Sequence, residues 1–209
     1  MCKGLTNPAE YDNGIFDSDH IGPWSRWQGN LNSQLMIIGQ DWGDTGYFQR
    51  YGGHETDNNP SNKTIRELLA SIGINILPPS VSNLDTSAIF LTNAILCLKK
   101  GGLGAPVYRE WFNNCGCHYL KPLIEIISPK VVVSLGKHAY ETICQLYNLP
   151  KMGFRDAVDR QEGMPLSKGI VFLPVYHCSP RVLNSHRRIA QQKSDWQRIK
   201  MAIQARTHA

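Results

Sequence analysis

The sequence predicts an α/β protein: a three-layer α/β/α sandwich around a central, mainly four-stranded parallel sheet. Two observations carry this expectation. Four short apolar runs recur along the chain, at residues 35–39, 87–92, 130–135 and 169–175. Between them lie longer stretches with apolar residues at helical spacing, and such alternation builds a parallel sheet covered on both faces. The first run, Leu35-Met36-Ile37-Ile38-Gly39, opens into a loop rich in Gly, Asp and Asn. Ser61-Asn62-Lys63-Thr64 is read as the cap of a helix reaching Ile72, with Ile65, Leu68, Leu69 and Ile72 on one face and Gly73 as its stop. After the second run, Gly101-Gly102-Leu103-Gly104 leads to a helix over about 108–127, which Pro122 is expected to kink. The third run is β-branched and continuous, as a strand buried on both faces requires. Gly136 turns into a helix ending near Tyr147, a loop reaches Lys168, and a last helix spans about 185–205.

A chain of 209 residues fits one domain with a sizeable core. Residues 1–34 are expected to be an irregular arm packed through Trp24 and Trp27, and residues 35–209 the α/β domain. No apolar run approaches a membrane span. Met1-Cys2-Lys3-Gly4-Leu5-Thr6 lacks the apolar region of a secretory leader. Six scattered cysteines fit reduced thiols in a cytoplasmic protein. A monomer is expected. Residues 1–98 hold five basic and ten acidic side chains, whereas residues 181–209 hold seven and one. A basic C-terminal third suits a polyanion, although a solvated helix face carries the same pattern.

The chemistry-bearing residues follow the strands. Asp41 stands in Gly39-Gln40-Asp41-Trp42-Gly43 after the first run, Asn93 closes the second, and His177 follows the fourth in Tyr176-His177-Cys178-Ser179-Pro180. Open α/β sheets gather their chemistry at the carboxyl ends of the strands. A carboxylate, an amide and an imidazole would then share one edge. Cys178 and His177 are a poor nucleophilic pair, since neighbours on an extended chain face opposite ways.

These blocks, GQDWG, LTNAILC and HCSPRVLNSHR, together with LKPLIEIISPKVVVSLG at 120–136, resemble in type and order the uracil-DNA glycosylase superfamily over roughly residues 35–200. The resemblance implies a uracil-DNA glycosylase-like fold and a monofunctional enzyme that flips uracil, or a related deaminated or 5-substituted base, out of DNA and hydrolyses its glycosidic bond. It implies that Asp41 orients water and stabilises the sugar cation, and that His177 donates to the departing base. It implies that Asn93 reads the pyrimidine edge, with Gln40 nearby. The family's stacking ring before the first helix is absent at residues 59–62, so Trp42, Tyr47, Phe48 or Tyr51 would serve. Ser179 and Pro180 would form a turn at a phosphate, and Arg181, Val182 and Leu183 a loop inserted into the duplex. Lys99-Lys100-Gly101-Gly102 and His186-Arg187-Arg188 are candidate phosphate contacts. Gly43, where relatives that exclude thymine carry a bulky Tyr, would leave room at the base C5.

No cofactor is expected. The alternative left open is the iron–sulfur cluster of one branch, on Cys2, Cys97, Cys115 and Cys117, although that branch's N-terminal cysteine pair is reduced here to Cys2. Two other functions stay open: a relative that binds DNA without cleaving it, and a hydrolase of small nucleosides.

Overall fold

The computed structural model describes residues 2–8, 10, 22–43, 45–82, 86–102, 104–160, 162–167 and 169–205. Residues 11–21 of the expected arm, with Gly14, and Leu103 of the Gly-rich loop lie outside them. In chain order the elements are β1 (Leu5–Thr6), α1 (Pro23–Trp27), β2 (Leu35–Gly39), α2 (Thr45–Arg50) and α3 (Pro60–Ser71). Then come β3 (Phe90–Asn93), β4 (Leu98–Lys99), α4 (Arg109–Cys115), a π-helical turn (Gly116–Leu120) and α5 (Lys121–Ile127). Next are β5 (Val131–Leu135), α6 (Lys137–Leu146), α7 (Phe154–Asp159) and β6 (Met164–Pro165). The chain closes with β7 (Val171–Val175), α8 (Pro180–Ser185) and α9 (Ile189–Ala205).

Among the described residues the main sheet runs β3-β2-β5-β7-β6. Its first four strands are the four apolar runs, all parallel, as expected. The fifth, β6, is a short antiparallel edge on β7. It went unread because two residues give no periodicity, and its Pro165 is tolerated because an edge strand has a side without ladder bonds.

Period-two alternation divides the strand residues between two cores. Met36, Ile38, Phe90, Val132 and Phe172 pack with Trp111, Phe112, Ile124, Tyr140 and Ile143 from α4, α5 and α6. Leu35, Ile37, Leu91, Val133, Leu173 and Val175 pack with Trp24, Trp27, Ile65, Leu68, Leu69, Trp196 and Ile199 from α1, α3 and α9. The result is the three-layer sandwich. Trp24 and Trp27 are buried, and the Trp27 indole N–H donates to the Leu77 carbonyl at 2.9 Å.

Four local expectations change. The helix over 108–127 is not simply kinked. Its middle widens into the π-helical turn, where the Lys121 amide reaches the Gly116 carbonyl. A proline ring at 122 would press on the carbonyl four residues back, and the wider turn relieves that contact. The stretch read as loop before Lys168 contains α7, and the loop after β2 contains α2. The last helix begins at Ile189, and residues 180–185 form the separate α8, started by Pro180 at its first position.

Finally, α3 is capped by Asn59, not by residues 61–64; the Asn59 Oδ1 accepts from the Ser61 amide at 3.0 Å, with Pro60 opening the helix. The Asn59 Nδ2 also donates to Glu55 and to the Tyr47 hydroxyl. Asn59→Ala is therefore expected to destabilise the fold by about 1–2 kcal/mol, measured by urea unfolding. A loss near zero would mean that neither the cap nor the Glu55 contact contributes.

Candidate active site

Asp41 lies two residues past the carboxyl end of β2, and three donors hold its carboxylate. Gln40 Nε2 reaches Oδ2 at 2.7 Å, Lys99 Nζ reaches Oδ2 at 3.2 Å, and the Gly43 amide reaches Oδ1 at 2.7 Å. Gly43 has φ +90°, a backbone that only glycine adopts readily, and this is what lets its N–H turn back onto Asp41. A carboxylate offers about four acceptor positions. Among the described residues these three donors are the ones that reach it.

Lys99, expected at a phosphate, is instead buried against Asp41; the two side chains are 2% and 8% exposed. It is carried by β4, which pairs antiparallel with β1 so that Lys99 stands opposite Leu5. Nothing in a Lys-Lys-Gly-Gly stretch signals a buried ion pair. Only the pairing of two short strands distant in sequence brings it there.

Asn93 ends β3, directly opposite Gly39 in the parallel register. Its residue is 3% exposed, and its carboxamide makes no hydrogen bond with another described residue. Gly39 is needed for this approach, since a methyl group there would overlap the Asn93 Oδ1 and the Trp24 ring.

His177 follows β7, two strands from Asp41 across β5. The Ser179 amide donates to His177 Nδ1 at 3.0 Å, so the neutral ring carries its proton on Nε2. The backbone of His177 is held by Gln192, whose Nε2 donates to its carbonyl at 3.2 Å. Burial pushes the imidazole pKa below its usual value, against a smaller opposing pull from the Asp41 charge. A depressed histidine pKa means that the unfolded chain binds the proton more readily. Stability is thus fully present above the unfolded value of 6.5 and is lost as pH falls below it. His177→Gln is expected to flatten that acid-side loss in a comparison of thermal unfolding at about pH 7.5 and 5.5. An unchanged slope would show that His177 is not the titrating group.

Of the rings expected near a base, Trp42 stacks on Phe48 with centroids 6.0 Å apart and packs against Gly22. Phe48 is buried behind it against Gly53. The Tyr47 hydroxyl is tied to Glu55 at 3.1 Å. Glu55 was not foreseen. It accepts from Tyr47, Asn59 and Asn62, and Asn62 in turn accepts from the Trp24 indole. Burial raises the Glu55 pKa. This network braces the α2–α3 region beneath the site, and a lone acid in a polar loop offers no sequence signal of it.

Cys178 is buried with its thiol directed at the Ser61 carbonyl, 3.5 Å away, and burial pushes its pKa up to about 12. It stays protonated near neutral pH and is no nucleophile. Pro180 and Arg181 are exposed on α8, and Val182 and Leu183 are partly so, on a short helix where a loop was expected. The Ser179 amide is committed to His177, as described. Arg187, expected at a phosphate, instead grips Asp195 with Nε at 3.0 Å and Nη2 at 2.7 Å, and lies 3.2 Å from Asp159. Its fork geometry matches a carboxylate, and Asp195 in α9, eight residues on, holds it.

Cys2, Cys97 and Cys115 interact with one another, the Cys97–Cys115 hydrogen bond raising the first thiol and lowering the second. Cys117 is exposed. Among the described residues no group of three or more His, Cys, Asp or Glu is placed to hold a metal ion. Three neighbouring thiols with the fourth turned outward do not fit a four-cysteine cluster.

A model of the uracil DNA glycosylase superfamily matches residues 27–201. The chain belongs to that superfamily, and so to the hydrolases that act on N-glycosyl bonds. Among curated proteins it resembles the Type-5 uracil-DNA glycosylase of Pyrobaculum aerophilum, with 23% identity over 184 residues, covering 85% of this chain and 73% of the relative. Among the described residues, no helix is long and apolar enough to cross a membrane.

Proposed function

We propose that this protein is a monofunctional DNA glycosylase that takes uracil, or a related deaminated or 5-substituted base, out of the stack and hydrolyses its N-glycosidic bond. One observation supports this reading above the rest. Three polar groups at the carboxyl ends of strands of one sheet keep hydrogen-bonding capacity that no other described residue uses: an acceptor position on Asp41, the Asn93 carboxamide and the His177 Nε2–H.

Their chemistry matches the reaction. As the base departs, negative charge gathers on its O2, and a neutral imidazole with a fixed Nε2–H is a suitable donor to it. The sugar acquires cation character, which the Asp41 carboxylate offsets while an acceptor position on it orients the attacking water. The Asn93 amide both donates and accepts, so it pairs with O4 and N3–H of uracil, whereas cytosine presents the opposite pattern. Arg181, exposed on α8, and the partly exposed Leu183 fill the gap left by the flipped nucleotide. Glycine at 43 leaves room at C5, so 5-methyl and 5-hydroxymethyl uracil fall within the proposed range.

The test is abasic-site formation on matched duplexes carrying uracil, 5-hydroxymethyl uracil or mismatched thymine. Cleavage of at least one supports the reading, and the set defines the base range. DNA binding with no abasic product from any of them, in protein shown to be folded, would leave a binding relative. Turnover of free nucleosides insensitive to salt would favour the small-substrate hydrolase, because DNA affinity falls steeply with ionic strength.

A further inference from the structure

The geometry points to Lys99 as a positioning residue of the reaction: its ammonium clamps Asp41 so that the carboxylate is held in one orientation toward the attacking water. This rests on the glycosylase reading above and goes further, assigning a part to a residue outside the three strand-end blocks.

A free aspartate side chain rotates and offers both oxygens to solvent. Here Gly43 fixes Oδ1, and Gln40 and Lys99 converge on Oδ2. Gln40 is the adjacent residue, so its grip moves with the same loop. Lys99 arrives from elsewhere in the fold, and its strand is itself secured. β1 pairs with β4, the Lys100 amide bonds the Gly4 carbonyl, and the Trp111 indole N–H holds the Lys3 carbonyl at 3.0 Å. A donor anchored on a second element turns a loop carboxylate into one with a single orientation. A misaligned group at a reacting centre loses much of its effect, so the clamp acts on the chemical step rather than on DNA affinity.

An ammonium 3.2 Å from the carboxylate also works against stabilisation of the sugar cation, so its benefit is alignment rather than charge. Lys99 is not assigned the role of nucleophile. An amine attack at the sugar carbon would need the nitrogen deprotonated and free of Asp41, and the structure shows it buried in that pair.

The test compares wild type with Lys99→Met and Lys99→Arg, each confirmed as folded, on the duplex found to be cleaved. Single-turnover kcat is expected to fall about 10- to 100-fold in Lys99→Met, on the scale of a lost hydrogen bond to a charged group, with KM changed less than about threefold. Lys99→Arg, which keeps a cationic donor, is expected to recover most of the loss. Added to Asp41→Asn, Lys99→Met should cost little more, because both act through one group. A raised KM with unchanged kcat, additivity with Asp41→Asn, or a borohydride-trapped DNA adduct made by wild type but not by Lys99→Met would each overturn the assignment.

A second readout needs no turnover. Hydrogen exchange at the Gly43 amide, which is bonded to Asp41 Oδ1, should speed up about tenfold or more when the carboxylate is released. An unchanged rate overturns the clamp whether or not the protein cleaves DNA. A wild type without activity therefore counts against the glycosylase reading, and the Gly43 amide still judges Lys99. Should Lys99→Met fail to fold, Lys99→Gln, which keeps a donor without the charge, is read by the same two measurements.

Discussion

Asp41→Asn is expected to slow base release about 10²- to 10⁴-fold, the range for removing a positioned acid–base group, with DNA affinity within about threefold of wild type. The amide keeps one oxygen but presents an NH2 where an acceptor is needed. Gln40, Lys99 and Gly43 all donate to this carboxylate, so an asparagine cannot satisfy them together. Lys99 would also lose the Asp41 carboxylate charge that it faces. Breaking one side of such a pair costs about 3–5 kcal/mol, so folding must be measured beside the kinetics. The double variant with Lys99→Met should regain part of that stability while staying inactive. Equal cleavage by wild type and Asp41→Asn would remove Asp41 from the mechanism.

Trp196→Ala is expected to destabilise the fold by about 3–5 kcal/mol. Trp196 is fully buried in α9, where the helix lies on the sheet face carrying Leu173 and Val175. Its effect should also reach the site, because Gln192, one turn earlier on the same helix, holds the His177 carbonyl. Trp196→Phe should cost far less. The indole N–H is buried with no hydrogen-bond partner among the described residues, and removing an unsatisfied donor offsets part of the lost packing. Denaturant unfolding of the two variants decides this, and equal losses would mean that the N–H is satisfied in solution.

Much of the site was legible because its residues are tied to strand ends. Asp41, Asn93 and His177 each follow an apolar run, and parallel pairing puts such positions on one edge without further information. Gly39 and Gly43 were visible as residues, but their reasons were not. Gly39 is needed because Asn93 and Trp24 press on it across strands, and Gly43 because its amide must turn back on Asp41. The charged residues were read least well. Lys99 and Arg187 were assigned to phosphates, yet one is paired with Asp41 and the other with Asp195 and Asp159. A charge in sequence carries no record of its partner when that partner comes from another strand or another turn.

The sequence by itself determined the layers, the four parallel strands and the residue types at their ends, because apolar periodicity and chain order are local properties that burial then enforces. Only the tertiary structure decided the hydrogen-bond inventory. It tied Lys99 to Asp41, gave Glu55 the Tyr47, Asn59 and Asn62 donors, set the proton of His177 on Nε2 and left the Asn93 carboxamide without a hydrogen bond to any other described residue. The Lys99–Asp41 pair needs two elements far apart in the chain to meet at 3.2 Å, and the Glu55 and His177 contacts need particular loop conformations; neither is encoded in apolar periodicity.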